Sequence, residues 1–84
     1  MNDNLIPMKY LIDDDMKDFY ICSRDKEGMS WVVENGGHIL SKSTLDFVYE
    51  PMSSSRKDEL IEDTRFPNPD QAYDCFIKYK LYRR

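Results

Sequence analysis

The sequence predicts a small α+β domain, an antiparallel β-meander of three to four strands followed by two C-terminal helices, the last packed on the sheet. Three observations carry this reading. Apolar residues alternate with a period of two through residues 18–50. Turn residues punctuate the same stretch, most strongly at Asn35, Gly36 and Gly37. Beyond Pro51 the period becomes helical, and Ala72, Phe76 and Tyr79 recur at i, i+4 and i+7.

Taken in order, residues 5–12 are apolar and suit an edge strand, because Pro7 has no N–H to give a central ladder. If Met16 is an alternative start, residues 1–15 are instead an extension loosely tied to a single domain spanning 1–84. Residues 18–24 read as a strand, with Phe19 and Ile21 on one face and Tyr20 and Cys22 on the other. A connection over 25–28 follows, with Gly28 available for a positive φ. The returning strand covers 29–34, with Trp31 and Val33 on one face and Val32 on the other. A short strand over 38–42 and another over 45–50 complete the meander. The second of these places Leu45, Phe47 and Tyr49 on one side, and Pro51 ends it.

The helical part begins with N-cap candidates Ser53, Ser54 and Ser55, the last with Asp58 or Glu59 nearby in a capping arrangement. A helix over 56–63 is expected, followed by an extended connector over 64–67, since Pro67 disfavours a helical Phe66. Asn68 caps the last helix and Pro69 takes its first position. Cys75 and Tyr82 widen the apolar stripe of that helix on one side, Tyr73 and Ile77 on the other.

Composition narrows the function classes. The 84 residues suffice for one domain, and such a domain hides only about 60–65% of its unfolded surface. Net charge is −4, which disfavours a general nucleic-acid binder. Residues 1–50 hold ten acids against five bases, and residues 51–84 hold six against seven. No stretch approaches the ~20 apolar residues of a membrane helix, and Met1 to Asn4 lack the basic start of a secretory signal. A cytosolic location without membrane contact is the expectation. Cys22 and Cys75 are then free buried thiols, with a disulfide between them conceivable only in an oxidising compartment.

No motif fixes a chemistry. His38 is the only histidine, and a Ser–His–Asp or Cys–His mechanism would have to use it. It follows a turn, which favours a polar residue at a hairpin mouth. One histidine and two distant cysteines do not match zinc spacing. Asp13, Asp14, Asp15 and Asp18 lack the calcium-loop pattern. They read as a solvated acidic loop whose functional version is a patch meeting a basic partner. Gly36 and Gly37 lack a phosphate-loop frame. No cofactor, metal or catalytic residue is expected.

Two binding readings remain. Six tyrosines, five methionines, four phenylalanines and one tryptophan exceed what a thin domain can bury. Side chains of this kind dominate protein interfaces. Partner contact is expected at Asp13, Asp14, Asp15, Asp18, Trp31 and Tyr20, with Met8, Met16, Met29 and Met52 near loops or element ends. The alternative is RNA or single-stranded nucleic acid, held by Lys78, Lys80, Arg83 and Arg84 among C-terminal aromatics.

The tract Met29-Ser30-Trp31-Val32-Val33 to Gly36-Gly37, and the block Thr64-Arg65-Phe66 with Asp70-Gln71-Ala72-Tyr73, resemble small early accessory proteins of tailed bacteriophages. Together they cover about half of the chain, and no functional residue is carried over from the likeness. The resemblance implies a non-catalytic protein that binds and inhibits, redirects or shields against a host or defence enzyme. Acidic members of this kind present carboxylates where nucleic-acid phosphate would sit, and −4 is a modest charge for such mimicry. The expected function is therefore a protein-binding module acting by steric occlusion.

Overall fold

A computed structural model of the chain describes residues 9–13, as backbone, and residues 19–82. Five strands form one antiparallel sheet in sequential order: β1 (Lys9–Asp13), β2 (Phe19–Ser23), β3 (Trp31–Asn35), β4 (His38–Ser41) and β5 (Asp46–Tyr49). Two helices follow, α1 (Asp58–Thr64) and α2 (Pro69–Tyr82). The α+β meander with its last helix on the sheet is thus the observed architecture. Four strands form the expected meander, and residues 9–13 pair with β2 at the sheet edge, where the sequence predicts an edge strand over 5–12.

The period-two pattern sorts the side chains as its alternation dictates. Ile21, Trp31, Val33 and Leu40 join Phe66, Ala72, Cys75 and Phe76 in the main core beneath α2. Cys22, Val32 and Ile39 form a second cluster on the other face, with Tyr20 and Val48 against it. Four rings fasten α2 to the sheet. Phe19 lies 5.4 Å from Phe47 and 5.1 Å from Phe76, and Tyr79 meets Phe47 edge-on at 4.9 Å. Such tilted pairs contribute about 0.5–1.5 kcal/mol each beyond area burial.

Turn chemistry sets the connections. Gly36 and Gly37 have φ of 56° and 83° between the paired residues Asn35 and His38, a two-residue turn that needs two positive φ values. In the 25–30 loop the Asp25 carboxylate accepts hydrogen bonds from the N–H groups of Gly28, Met29 and Ser30. The connection from β4 to β5 is less regular. Leu45 stands there at φ 53°, so it belongs to the turn and not to the expected strand over 45–50. Its side chain still packs against the main core.

The helical region starts later than its serines suggest. Ser53–Ser55 form a 3-10 turn, α1 begins at Asp58, and Lys57 occupies the N-cap without a side-chain cap. The expected Ser55 cap and the start at residue 56 are therefore corrected. Lys57 is extended, at ψ 156°, so the chain straightens between the turn and the helix. Thr64 closes α1 and does not begin the connector. Its buried hydroxyl donates to the Leu60 carbonyl at 2.7 Å. Asn68 caps α2 as expected, accepting the Gln71 N–H at 2.9 Å.

Residues 63–66 solve a topological problem. β3 and β4 pair only at Glu34 with Ile39 and Asn35 with His38, so the hairpin forks away from its turn. The connector fills that fork. Trp31 and Phe66 exchange two backbone hydrogen bonds of 2.8 Å, and the Lys42 N–H donates to the Asp63 carbonyl at 2.9 Å. The Ser41 hydroxyl, on the Ile39 side of β4, donates to the Asp63 carboxylate, which also accepts the Ser43 N–H. The chain thereby passes from α1, beside β4, to α2 over the main core, with its polar backbone satisfied.

Candidate functional site

The imidazole of His38 sits in the open. It is exposed, its Nδ1 lies 3.2 Å from the Gly36 carbonyl, and its ring meets Tyr49 edge-on at 6.0 Å. Cys75 is in the core under α2, where burial pushes its thiol up. Cys22 is in the opposite cluster and donates to Glu34 Oε1 at 3.1 Å. The sheet separates the two thiols, and both are free and buried, as the sequence predicts. Among the described residues no group of three His, Cys, Asp or Glu side chains is placed to share a metal ion. No helix among them is long and apolar enough to cross a membrane.

The residues expected to meet a partner fare differently. Trp31 is only 2% exposed, and its indole N–H donates to the Gly28 carbonyl at 2.7 Å. It is a core residue, because its position on β3 faces α2, and it is withdrawn as a surface anchor. Tyr20 is half-buried against the second cluster. Asp13 ends β1, whereas Asp14, Asp15 and Asp18 lie outside the described residues, as do Met8, Met16, Arg83 and Arg84.

The surplus apolar side chains are accessible at other places. Met29 and Met52 are 68% and 73% exposed. On α2 the buried stripe is narrower than its sequence implies, and Tyr73, Ile77 and Tyr82 are corrected from core to surface. Tyr73, Ile77 and Leu81, spaced i, i+4 and i+8 and 44%, 37% and 61% exposed, form a second apolar line that leaves the flank of the buried face beside Phe76 and ends in solvent. Tyr82 falls to one side, where it lines a cleft of about 550 Å³ with Lys42, Phe66, Asp74 and Lys78. The Lys42 ammonium lies 5.1 Å from the Phe66 ring centre.

A cluster that no motif announced lies at the end of the second face. Three arginines converge on Glu50, whose side chain is 8% exposed. Arg24 grips it with two bonds, Nε to Oε2 at 3.0 Å and Nη2 to Oε1 at 2.6 Å. Arg56 Nη2 and Arg65 Nη2 approach Oε2 at 3.3 and 3.5 Å. Burial pushes the Glu50 carboxyl up. The Arg24 hydrogen bonds and the three positive charges outweigh that, holding it below the usual carboxylate range. Burial also lowers Arg65, opposed by the Glu50 charge and reinforced by Arg24 and Arg56. These four residues come from three separate stretches of chain, so sequence spacing carried no sign of them.

Comparison with protein-family models, with curated proteins and with solved structures finds no match to this chain.

Proposed function

We propose that this chain is a non-catalytic protein-binding module. In this reading the solvent face of α2 is the contact surface, and the chain acts by covering a site on its partner. One observation carries the proposal. The helix presents Tyr73, Ile77 and Leu81 in line on the outside while Ala72, Cys75, Phe76 and Tyr79 already fill its inside. Covering a Leu or Ile side chain contributes on the order of 1–3 kcal/mol, so a partner groove that accepts three such groups gains enough to hold the helix. The resemblance to phage accessory proteins points to a host or defence enzyme as that partner. The exposed setting of His38 supports binding over catalysis, since acid–base work needs a second group in reach.

The test is affinity capture from bacterial lysate with the wild-type chain and an Ile77→Glu variant, with co-eluting proteins identified by mass spectrometry. A protein retained by the wild type and lost by the variant, at unchanged circular dichroism, supports the proposal. Equal retention by both chains removes α2 as the surface.

Nucleic acid is the second reading, favoured by one specific feature. Tyr82, 74% exposed, stands in a cleft with Lys42 and Lys78. An accessible ring between bases is the arrangement that stacks a nucleobase while pairing its phosphate. Asp74 in the same cleft opposes it. Absence of binding to a fluorescent single-stranded oligonucleotide at low salt eliminates this reading.

A further inference from the structure

We propose that Arg24, Arg56 and Arg65 form a binding site for a dianionic phosphate group, seated beside Glu50 on guanidinium edges that Glu50 leaves under-used. The charges do not balance inside the cluster. Among the described residues, three guanidiniums face the one carboxylate they all approach, with Glu34 adding its charge from the Arg24 side. Fastening the end of β5 needs no more than the two-bond pair of Arg24 with Glu50. Adding two further cations beside it costs mutual repulsion and desolvation.

Those two cations are also held ready. Arg56 Nε donates to the Pro51 carbonyl at 2.9 Å, which fixes the plane of its fork. Arg65 Nη1 donates to Thr64 Oγ1 at 3.1 Å, and that hydroxyl is anchored on the Leu60 carbonyl. Glu50 Oε2 already takes Arg24 Nε at 3.0 Å, and Arg56 and Arg65 stand farther off. Arg56 and Arg65 thus share one carboxylate oxygen at longer range, and each guanidinium keeps donors to spare. The three side chains keep 13–22% of their surface exposed, so an anion can reach them from solvent. Planar forks in fixed positions suit the oxygens of a phosphate. A monoester or inorganic phosphate carries about −2 at neutral pH, which answers the excess of the three guanidiniums over Glu50 that Glu34 only partly offsets.

The experiment is a titration of the full chain with sodium phosphate at constant ionic strength set by chloride. It is read at the arginine Nε–Hε resonances and by thermal melting. The expected result is a saturating shift of the Arg56 and Arg65 resonances and a saturating rise in Tm. Methyl phosphate should reproduce both. Dimethyl phosphate, a monoanion like a nucleic-acid backbone unit, should bind at least tenfold more weakly. Arg56→Gln should weaken phosphate at least tenfold. A non-saturating response equal to that of chloride overturns the site, and equal binding of dimethyl phosphate overturns the dianion assignment. Full affinity in Arg56→Gln does the same for the role of the cluster. If that variant does not fold, the wild-type titration decides by itself.

Discussion

Glu50 shows how one side chain can tie distant parts of a small domain together. It follows β5, yet it binds arginines that follow β2, precede α1 and follow α1. Replacing it by glutamine orphans three neighbouring positive charges and should cost up to roughly 3 kcal/mol, the lower end for breaking a buried pair. Urea unfolding measures this directly. The sign of the pH dependence follows from the lowered carboxyl. A group whose folded value lies below its unfolded value adds stability above the unfolded value and loses it as pH falls through the folded one. Asp63 behaves alike. Burial pushes it up, and the bonds from Ser41 and Ser43 outweigh that. The Tm should therefore decline as pH drops from about 5 to about 3, across the carboxylate range. Glu50→Gln should flatten that decline, and an unchanged profile would remove Glu50 from the account. Neither Glu50 nor Asp63 stood out in the sequence, because the two-bond partner of Glu50, Arg24, lies 26 positions away, and Ser41 and Ser43 lie 22 and 20 positions from Asp63. Leu45 was hidden for another reason. Its left-handed backbone costs about 1 kcal/mol, and only its packing against the core explains why a leucine stands there.

At the level of elements, α2 is the part most plainly written in the chain. Asn68 and Pro69 begin it, and Ala72, Phe76 and Tyr79 bury it. Phe76 is 1% exposed and touches rings on both sides. Phe76→Ala should cost about 3–5 kcal/mol, whereas Asn68→Ala should cost about 1 kcal/mol. Chemical denaturation of the pair separates packing from capping, and similar losses would contradict the assignment. The outer line of the same helix was misjudged from sequence. Tyr73 and Ile77 lie close enough to the apolar arc to be counted with it, and only the position of the sheet shows where that arc ends. The α1 start was misjudged because three serines offer caps that the 3-10 turn and the extended Lys57 pre-empt. The crossing at residues 63–66 was not legible at all, since it depends on a gap opening between β3 and β4.

For the molecule as a whole, the two faces of the sheet keep the two thiols apart. Cys75 should react slowly with Ellman's reagent in the folded protein, because burial raises its thiol and shields it. Unfolding in urea should release two rapid equivalents, and none would indicate a Cys22–Cys75 disulfide. The molecule is also polarised in charge, with acids concentrated in residues 1–50. If those acids steer a basic partner, neutralising Asp13, Asp14 and Asp15 together should slow association and reduce its salt dependence. Surface plasmon resonance with the captured partner reads both. Unchanged rates would confine the interaction to apolar contact at α2.

The sequence by itself determined the class of the fold, the sides on which β2 and β3 place their residues, the glycine hairpin and the capped last helix. Each of these depends on neighbours within a few positions, where dihedral preference and periodicity act directly. Tertiary structure decided that Trp31 is interior, that Tyr73, Ile77 and Tyr82 are not, and that Glu50 gathers three arginines. Those outcomes depend on which distant surface arrives to exclude water from a side chain, and local pattern does not specify that arrival.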